Sequence, residues 1–236
     1  MPDIQFRFSL PKLVHSIALF SDLGIKDLTK LKVVKLLFFA DKAHLLEQGA
    51  PILGDSYYCM DYGPVPSLAL NELNDALLRN EVLDSSPDLT LIDQVLRVRK
   101  SVWKKYPLFE SKTNWDRTVF ADSECAVLRR TIDTYGNFTA HALVELSHKE
   151  PTWIIPNKDR EAGGRVPIPY ELFFDGCDAR GKQHLAQLVA RFRGEAMEMP
   201  GDESYRQFGS ELLDHDEDID WSVDRDHRSR RALHCA

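Results

Sequence analysis

The spacing of apolar residues predicts two α-helices in the first fifty positions. Between residues 9 and 21, apolar side chains recur every three or four positions, which is the period of a helix with one buried face. A longer helix is predicted over 27–48, with Asp27 as its N-cap and Gly49 just beyond its end. Its middle, residues 36–40, is apolar on every side, as is typical of a helix enclosed by the rest of the fold. The pattern therefore predicts a central, buried helix.

After this helix the pattern changes to strand-like alternation. Residues 56–62 alternate in polarity, which predicts a strand that the Gly-Pro-Val-Pro-Ser sequence at 63–67 stops. A helix then extends to about Asn80, and residues 89–98 are predicted to form a second strand that pairs with the first. Residues 152–167 are rich in Gly and Pro and are expected to form a loop.

Helical spacing returns in the C-terminal half of the chain. The predicted segments are 123–135 with Asp122 as N-cap, a helix from Asn137 or Thr139 to His148, a short turn from Pro169, and a long amphipathic helix over 178–196. The fold class is therefore mainly α (α+β), a compact helical domain around a central buried helix with one small antiparallel β-sheet. This domain is expected to span 1–196, and an acidic, flexible tail is expected over 197–236.

Charge and composition add a second reason to separate the tail from the domain. The net charge is −7, but residues 197–236 carry eleven acidic side chains and five arginines, which leaves the remainder almost neutral.

The longest apolar run is far too short to cross a bilayer, and the N-terminus lacks the pattern of a signal peptide. The four cysteines form no close pair, so neither a zinc site nor a disulfide framework is expected. These features predict a cytoplasmic protein without a metal or cofactor.

Candidate catalytic chemistry is sparse. The sequence contains no GxSxG, P-loop or HExxH motif, and the acidic run at 214–220 lacks the glycine and glutamate of an EF-hand. Asp41, Lys42 and His44 lie at the polar end of the central helix, and Tyr62 is expected near them once the strand folds back. They form either an acid–base cluster or a hydrogen-bonded network, and the network is favoured. No catalytic residue is therefore predicted, and the protein is not expected to be an enzyme.

A basic run with interleaved aromatic residues lies at 97–106. This composition is typical both of a site for single-stranded nucleic acid and of a solvated edge strand protected by charge. A helix-turn-helix over 11–35 is disfavoured, because its second helix is too apolar to lie free in a major groove. Nucleic acid is therefore not the expected partner, although a nucleic-acid-binding regulator stays an alternative.

The polar and proline-rich pieces around the central helix resemble the Panacea domain family of SocA-like antitoxins. The matching pieces are residues 35–45 (KLLFFADKAHL), Gly49, Pro51-Ile52, Gly54-Asp55, Tyr57 and residues 62–67 (YGPVPS). Residues 146–153 (LSHKEPTW) resemble a later Ser/Thr-His-x-Glu-x-x-Trp element of the family. The resemblance extends over about residues 9–195 and does not include the tail.

This resemblance implies a bacterial antitoxin of a type II-like toxin–antitoxin or phage-defence module. Family members are expected to bind and neutralise a cognate protein toxin, which can be an alarmone-synthetase-like enzyme. A minority act as proteolytic adaptors that deliver the toxin to a protease. No catalytic residue follows from the resemblance. The candidates for partner binding or for the scaffold network are Asp41, Lys42, His44, Tyr57, Tyr62, Pro64, Pro66 and Trp153.

Overall fold

A computed structural model describes residues 4–25, 27–81, 90–100 and 106–193. The α-helices of these residues are α1 Leu10–Asp22, α2 Lys30–Gln48, α3 Ser67–Glu81, α4 Leu91–Val95, α5 Asp122–Tyr135, α6 Ala140–Ser147, α7 Pro151–Ile154 and α8 Ala179–Arg193. The strands are β1 Tyr57–Met60, β2 Gly63–Pro66, β3 Leu96–Arg99, β4 Leu108–Ser111 and β5 Val166–Ile168. Short 3₁₀ helices occupy Arg117–Val119, Pro156–Asp159 and Tyr170–Phe174. The predicted tail, the domain boundary at 196 and residues 101–105 of the basic run lie outside the described residues.

The central helix is α2, as the all-round apolar pattern predicts. It packs against α3, α5, α6 and α8, and Leu36, Leu37 and Phe38 in its middle are each at most 1% exposed. Gly49 ends it in the left-handed conformation with φ 72°, and its N–H donates to Leu45 O at 2.9 Å. The predicted mainly α class with some β-structure is confirmed.

The N-terminus of α2 differs from the prediction. Thr29, not Asp27, is the N-cap, and its hydroxyl accepts a hydrogen bond from the backbone N–H of Lys32 at 3.3 Å. Asp27 instead has a positive φ of 64°. The reason is tertiary, because Thr29 forms a β-bridge with Leu108 that fixes the extended backbone an N-cap requires.

The first sheet has the strand order β2-β1-β5 and is antiparallel throughout. The prediction that residues 63–67 only stop the first strand is wrong, because Gly63–Pro66 form β2, in which Pro64 lies opposite Cys59 and Pro66 opposite Tyr57. The prolines lack an N–H, and this is tolerated because β2 lies at the edge of the sheet.

Two further predictions fail because strand pairing depends on distant residues. Half of the stretch 89–98 is helical, since Thr90 and Asp93 form a capping box that starts α4, and the following β3 pairs with β4 instead of β1. The third strand of the first sheet, β5, begins at the end of the predicted loop 152–167 and pairs with β1. This predicted loop also contains most of α7 and a 3₁₀ helix. The β-structure is thus divided between a three-stranded and a two-stranded sheet.

The C-terminal helices follow the predicted periodicity closely. Thr139 is the N-cap of α6, and Ala121 rather than Asp122 occupies that position in α5, where Glu124 accepts a hydrogen bond from the Ala121 N–H at 2.9 Å. The turn after Pro169 is a 3₁₀ helix, and α8 follows it. Among the described residues, no helix combines the length and apolar character needed to cross a membrane.

Candidate partner-binding site

Asp41 connects α2 to the segment that leads into the first sheet. Its carboxylate accepts hydrogen bonds from the N–H groups of Ile52 and Leu53, at 3.0 and 2.9 Å, and from the Tyr57 hydroxyl at 2.9 Å. Because the side chain is only 1% exposed, burial raises its pKa to about 7 against the opposing effect of these donors. All three donors are buried, so the carboxylate serves as an internal anchor.

His44 lies one turn further along α2 and faces different partners. Its Nδ1 lies 2.6 Å from the carbonyl oxygen of Ala50, which can only accept, so Nδ1 carries the proton. Its Nε2 then accepts from the Ser123 hydroxyl at 3.1 Å. Burial is the main cause that lowers the pKa of His44. A hydroxyl–imidazole pair of this kind resembles an activated nucleophile, but here His44 is only 5% exposed and joins α2 to α5.

The acid–base alternative for Asp41, Lys42, His44 and Tyr62 is not assembled in the structure. Tyr62 is 63% exposed at the β1–β2 turn, and the tyrosine bonded to Asp41 is Tyr57. Lys42 forms an ion pair with Glu150, just before α7, and the two side chains are 21% and 22% exposed. Asp41, Lys42 and His44 therefore bond to separate partners, and Tyr62 is not one of these partners.

A second buried carboxylate belongs to Asp55, which the sequence singles out only within the Gly54-Asp55 piece of the family resemblance. Its Oδ1 accepts from the N–H of Leu68 at 2.9 Å and its Oδ2 from the N–H of Ala69 at 2.7 Å, so it caps α3 from outside the helix. The carbonyl oxygen of Asp55 also accepts from the Tyr170 hydroxyl at 2.6 Å. Burial raises the pKa of Asp55 to about 6. A Gly-Asp pair twelve residues before a helix offers no local signal of this role.

Lys35 is the other buried residue whose own role at the β1–β2 hairpin was not predicted from the sequence. It lies in the buried part of α2 with 0% exposure, and its Nζ donates to Pro64 O at 2.7 Å. Burial lowers the pKa of Lys35 to about 7. A lysine inside an otherwise apolar run was the available signal, since a buried lysine needs a specific partner.

The β1–β2 turn packs directly against this lysine. Gly63 has a φ of 94°, and an added Cβ would lie 2.3 Å from Ser147 Oγ, 2.7 Å from Lys35 Nζ and 3.3 Å from His148 Cδ2. Only glycine fits this position without displacing neighbours. Pro64 and Pro66, which follow in β2, are also buried.

Trp153 attaches α7 to the same turn. Its Nε1 donates to Met60 O at 3.1 Å, and the thiol of Cys59 donates to Trp153 O at 3.7 Å. The indole stacks on His148 with the ring centroids 3.9 Å apart and the planes 13° from parallel. Cys59 is buried, and burial raises the pKa of its thiol. Among the described residues, no group of three or more His, Cys, Asp or Glu side chains is placed to hold a metal ion.

The fold and these contacts define a mainly helical scaffold in which α2 carries a rigid hairpin turn. Residues 33–154 match the family model for the antitoxin SocA-like, Panacea domain, which is just over half of the chain. The chain therefore belongs to the SocA-like antitoxin family, and this membership gives it an antitoxin role in general terms. Neither the curated proteins nor the solved structures contain a significant match to the chain.

Proposed function

We propose that this protein is the cytoplasmic antitoxin of a toxin–antitoxin or phage-defence module, and that it neutralises its cognate toxin by direct binding. This proposal rests on the family match, which starts within α2 and ends at Ile154, the last residue of α7. Lys35, Ser147 and Trp153, which contact the β1–β2 hairpin, lie inside that range, whereas β5 and Arg160, which also hold it, lie outside. The shared feature is therefore the packing of α2, α6 and α7 against the turn.

The hydrogen bonding of the polar residues supports a binding role without catalysis. Both oxygens of Asp41 and both ring nitrogens of His44 are engaged inside the protein. Catalysis requires such groups to reach a substrate in a plausible pose, whereas these side chains are at most 5% exposed. They are better suited to fixing the geometry of α2 and the hairpin.

A fixed geometry favours direct neutralisation over delivery to a protease. A surface that is already ordered loses little conformational entropy on binding, so more of the contact free energy remains for affinity. The nucleic-acid alternative has less support in the described part of the basic run, since Arg97 and Arg99 both pair with Glu110.

The test is expression of the gene adjacent to this one, alone and together with this chain. Neutralisation predicts that growth is arrested by the neighbouring product alone and restored by co-expression. Purified proteins should form a stable complex, and the amount of toxin in cells should stay constant. Equal growth arrest in both cultures refutes the proposal, while restored growth with a shortened toxin half-life identifies the adaptor alternative.

A further inference from the structure

We propose that the toxin contacts this protein at a corner surface formed by Tyr62, His148, Trp153 and Ile154, and that the contacting toxin segment is apolar. This inference rests on the proposed function and specifies its site. The surface joins the tip of the β1–β2 hairpin to α7.

The corner surface presents apolar side chains on firm backbone. Tyr62 is 63% exposed and Ile154 is 43% exposed, whereas all four residues of β2 directly after Tyr62 are buried. The hydrogen bond from Trp153 Nε1 to Met60 O holds α7 against the strand that leads to Tyr62. The surface thus combines an exposed tyrosine with a half-buried tryptophan, and these two residue types are enriched at interface hot spots.

Lys35 and Gly63 prevent the tip from moving away from this position. The Nζ of Lys35 holds Pro64 O, and Gly63 lies against Ser147 Oγ without room for a side chain. The backbone that carries Tyr62 is therefore fixed in position before the partner arrives. Preorganisation of this kind favours affinity because the ordering cost has already been met in folding.

The charges beside the surface indicate the chemistry of the partner. Asp61, next to Tyr62, pairs with Arg160 at 2.6 Å, and Lys42 pairs with Glu150 just before α7. Arg165 lies over the ring of Tyr58, with 5.0 Å from its Cζ to the ring centroid. Because these charges already have partners within the protein, the surface is complementary chiefly to apolar side chains, with the exposed Lys149 beside His148 as a charge at its rim. The salt dependence of binding should accordingly be shallow.

The experiment compares two exposed surface variants with two matched controls in the full-length protein. Tyr62→Ala is matched by Tyr106→Ala, whose side chain is 58% exposed, and Ile154→Ala is matched by Leu78→Ala, which is 59% exposed. We expect Tyr62→Ala to raise the toxin Kd about 30-fold and Ile154→Ala about fivefold, whereas each control stays within about twofold of wild type. Circular dichroism and urea unfolding should show that all four variants are folded.

The possible outcomes distinguish an error in the proposed function from an error in the proposed contact surface. Failure of the wild-type protein to bind or neutralise the neighbouring product refutes the proposed function itself. Toxin binding by wild type with no change in Tyr62→Ala or Ile154→Ala refutes the surface alone. A loss of self-association in Tyr62→Ala, with toxin affinity unchanged, would assign the surface to a second copy of the chain and also refute the inference. A steep fall in affinity between about 0.1 and 0.5 M NaCl would contradict the apolar chemistry.

Discussion

Replacing Gly63 by alanine tests whether the corner of the β1–β2 hairpin is as tightly packed as the structure shows. The added methyl group would lie 2.3 Å from Ser147 Oγ and 2.7 Å from Lys35 Nζ, and the backbone at this position has a φ of 94°. A left-handed conformation costs a residue with a Cβ about 1–2 kcal/mol. Overpacking of a filled site costs about 1–3 kcal/mol more. We therefore expect Gly63→Ala to lower the free energy of unfolding by about 2–5 kcal/mol.

Gly163 provides the control that isolates the steric part of this loss. It also has a positive φ, 74°, but an added Cβ would meet no atom within 4 Å. Gly163→Ala should therefore lose only the backbone contribution of about 1–2 kcal/mol. Removing the hydroxyl at the other side of the clash, with Ser147→Ala, should recover part of the stability of Gly63→Ala.

The assay is equilibrium unfolding in urea, followed by the fluorescence of the tryptophans and by far-ultraviolet circular dichroism. A change in the urea midpoint without a change in slope indicates an effect on stability. Equal losses in Gly63→Ala and Gly163→Ala, within about 0.5 kcal/mol, would refute the reasoning, because strain would then be the whole effect. Lack of coupling between the changes at Gly63 and Ser147 would refute the specific contact.

Further predictions concern the buried and half-exposed charges of α2. Asp41→Ala should lower the free energy of unfolding by at least about 3 kcal/mol in urea, because three buried donors, including the Tyr57 hydroxyl, lose their acceptor; Asp41→Asn, which keeps an acceptor oxygen, should lose less. The pKa of Asp41 is raised from 3.8 to about 7, so its contribution to stability is complete below pH 3.8 and is lost as the pH rises to 7, and Asp41→Asn should flatten this part of a stability–pH profile. The pKa of Lys35 is lowered from 10.5 to about 7, so stability should rise with pH between 7 and 10.5, and thermal melts of Lys35→Met should lack this rise. Lys42→Ala, which breaks the partly exposed pair with Glu150, should cost less than about 1 kcal/mol, and a larger loss would contradict its assignment as a surface ion pair.

Local signals in the sequence were sufficient for most helices. The apolar run of α2, the glycine at its end and the threonine before α6 are features of neighbouring residues, and helices depend mainly on such neighbours. The same stretch of sequence carried the family resemblance that the match over 33–154 confirms. Asp41, His44 and Trp153 stay predicted candidates for the site, and the structure adds the hydrogen-bond partners that the sequence does not give.

The sequence by itself determined the central buried helix, the fold class and the family, because these follow from periodicity and from the order of short motifs. Only the tertiary structure decided which strand pairs with β1, since Tyr57 lies opposite Ile168, more than a hundred residues away. It also decided that Lys35 and Asp55 are buried anchors. A side chain's burial and its hydrogen-bond partner depend on what the rest of the chain places around it, and no local pattern records that environment.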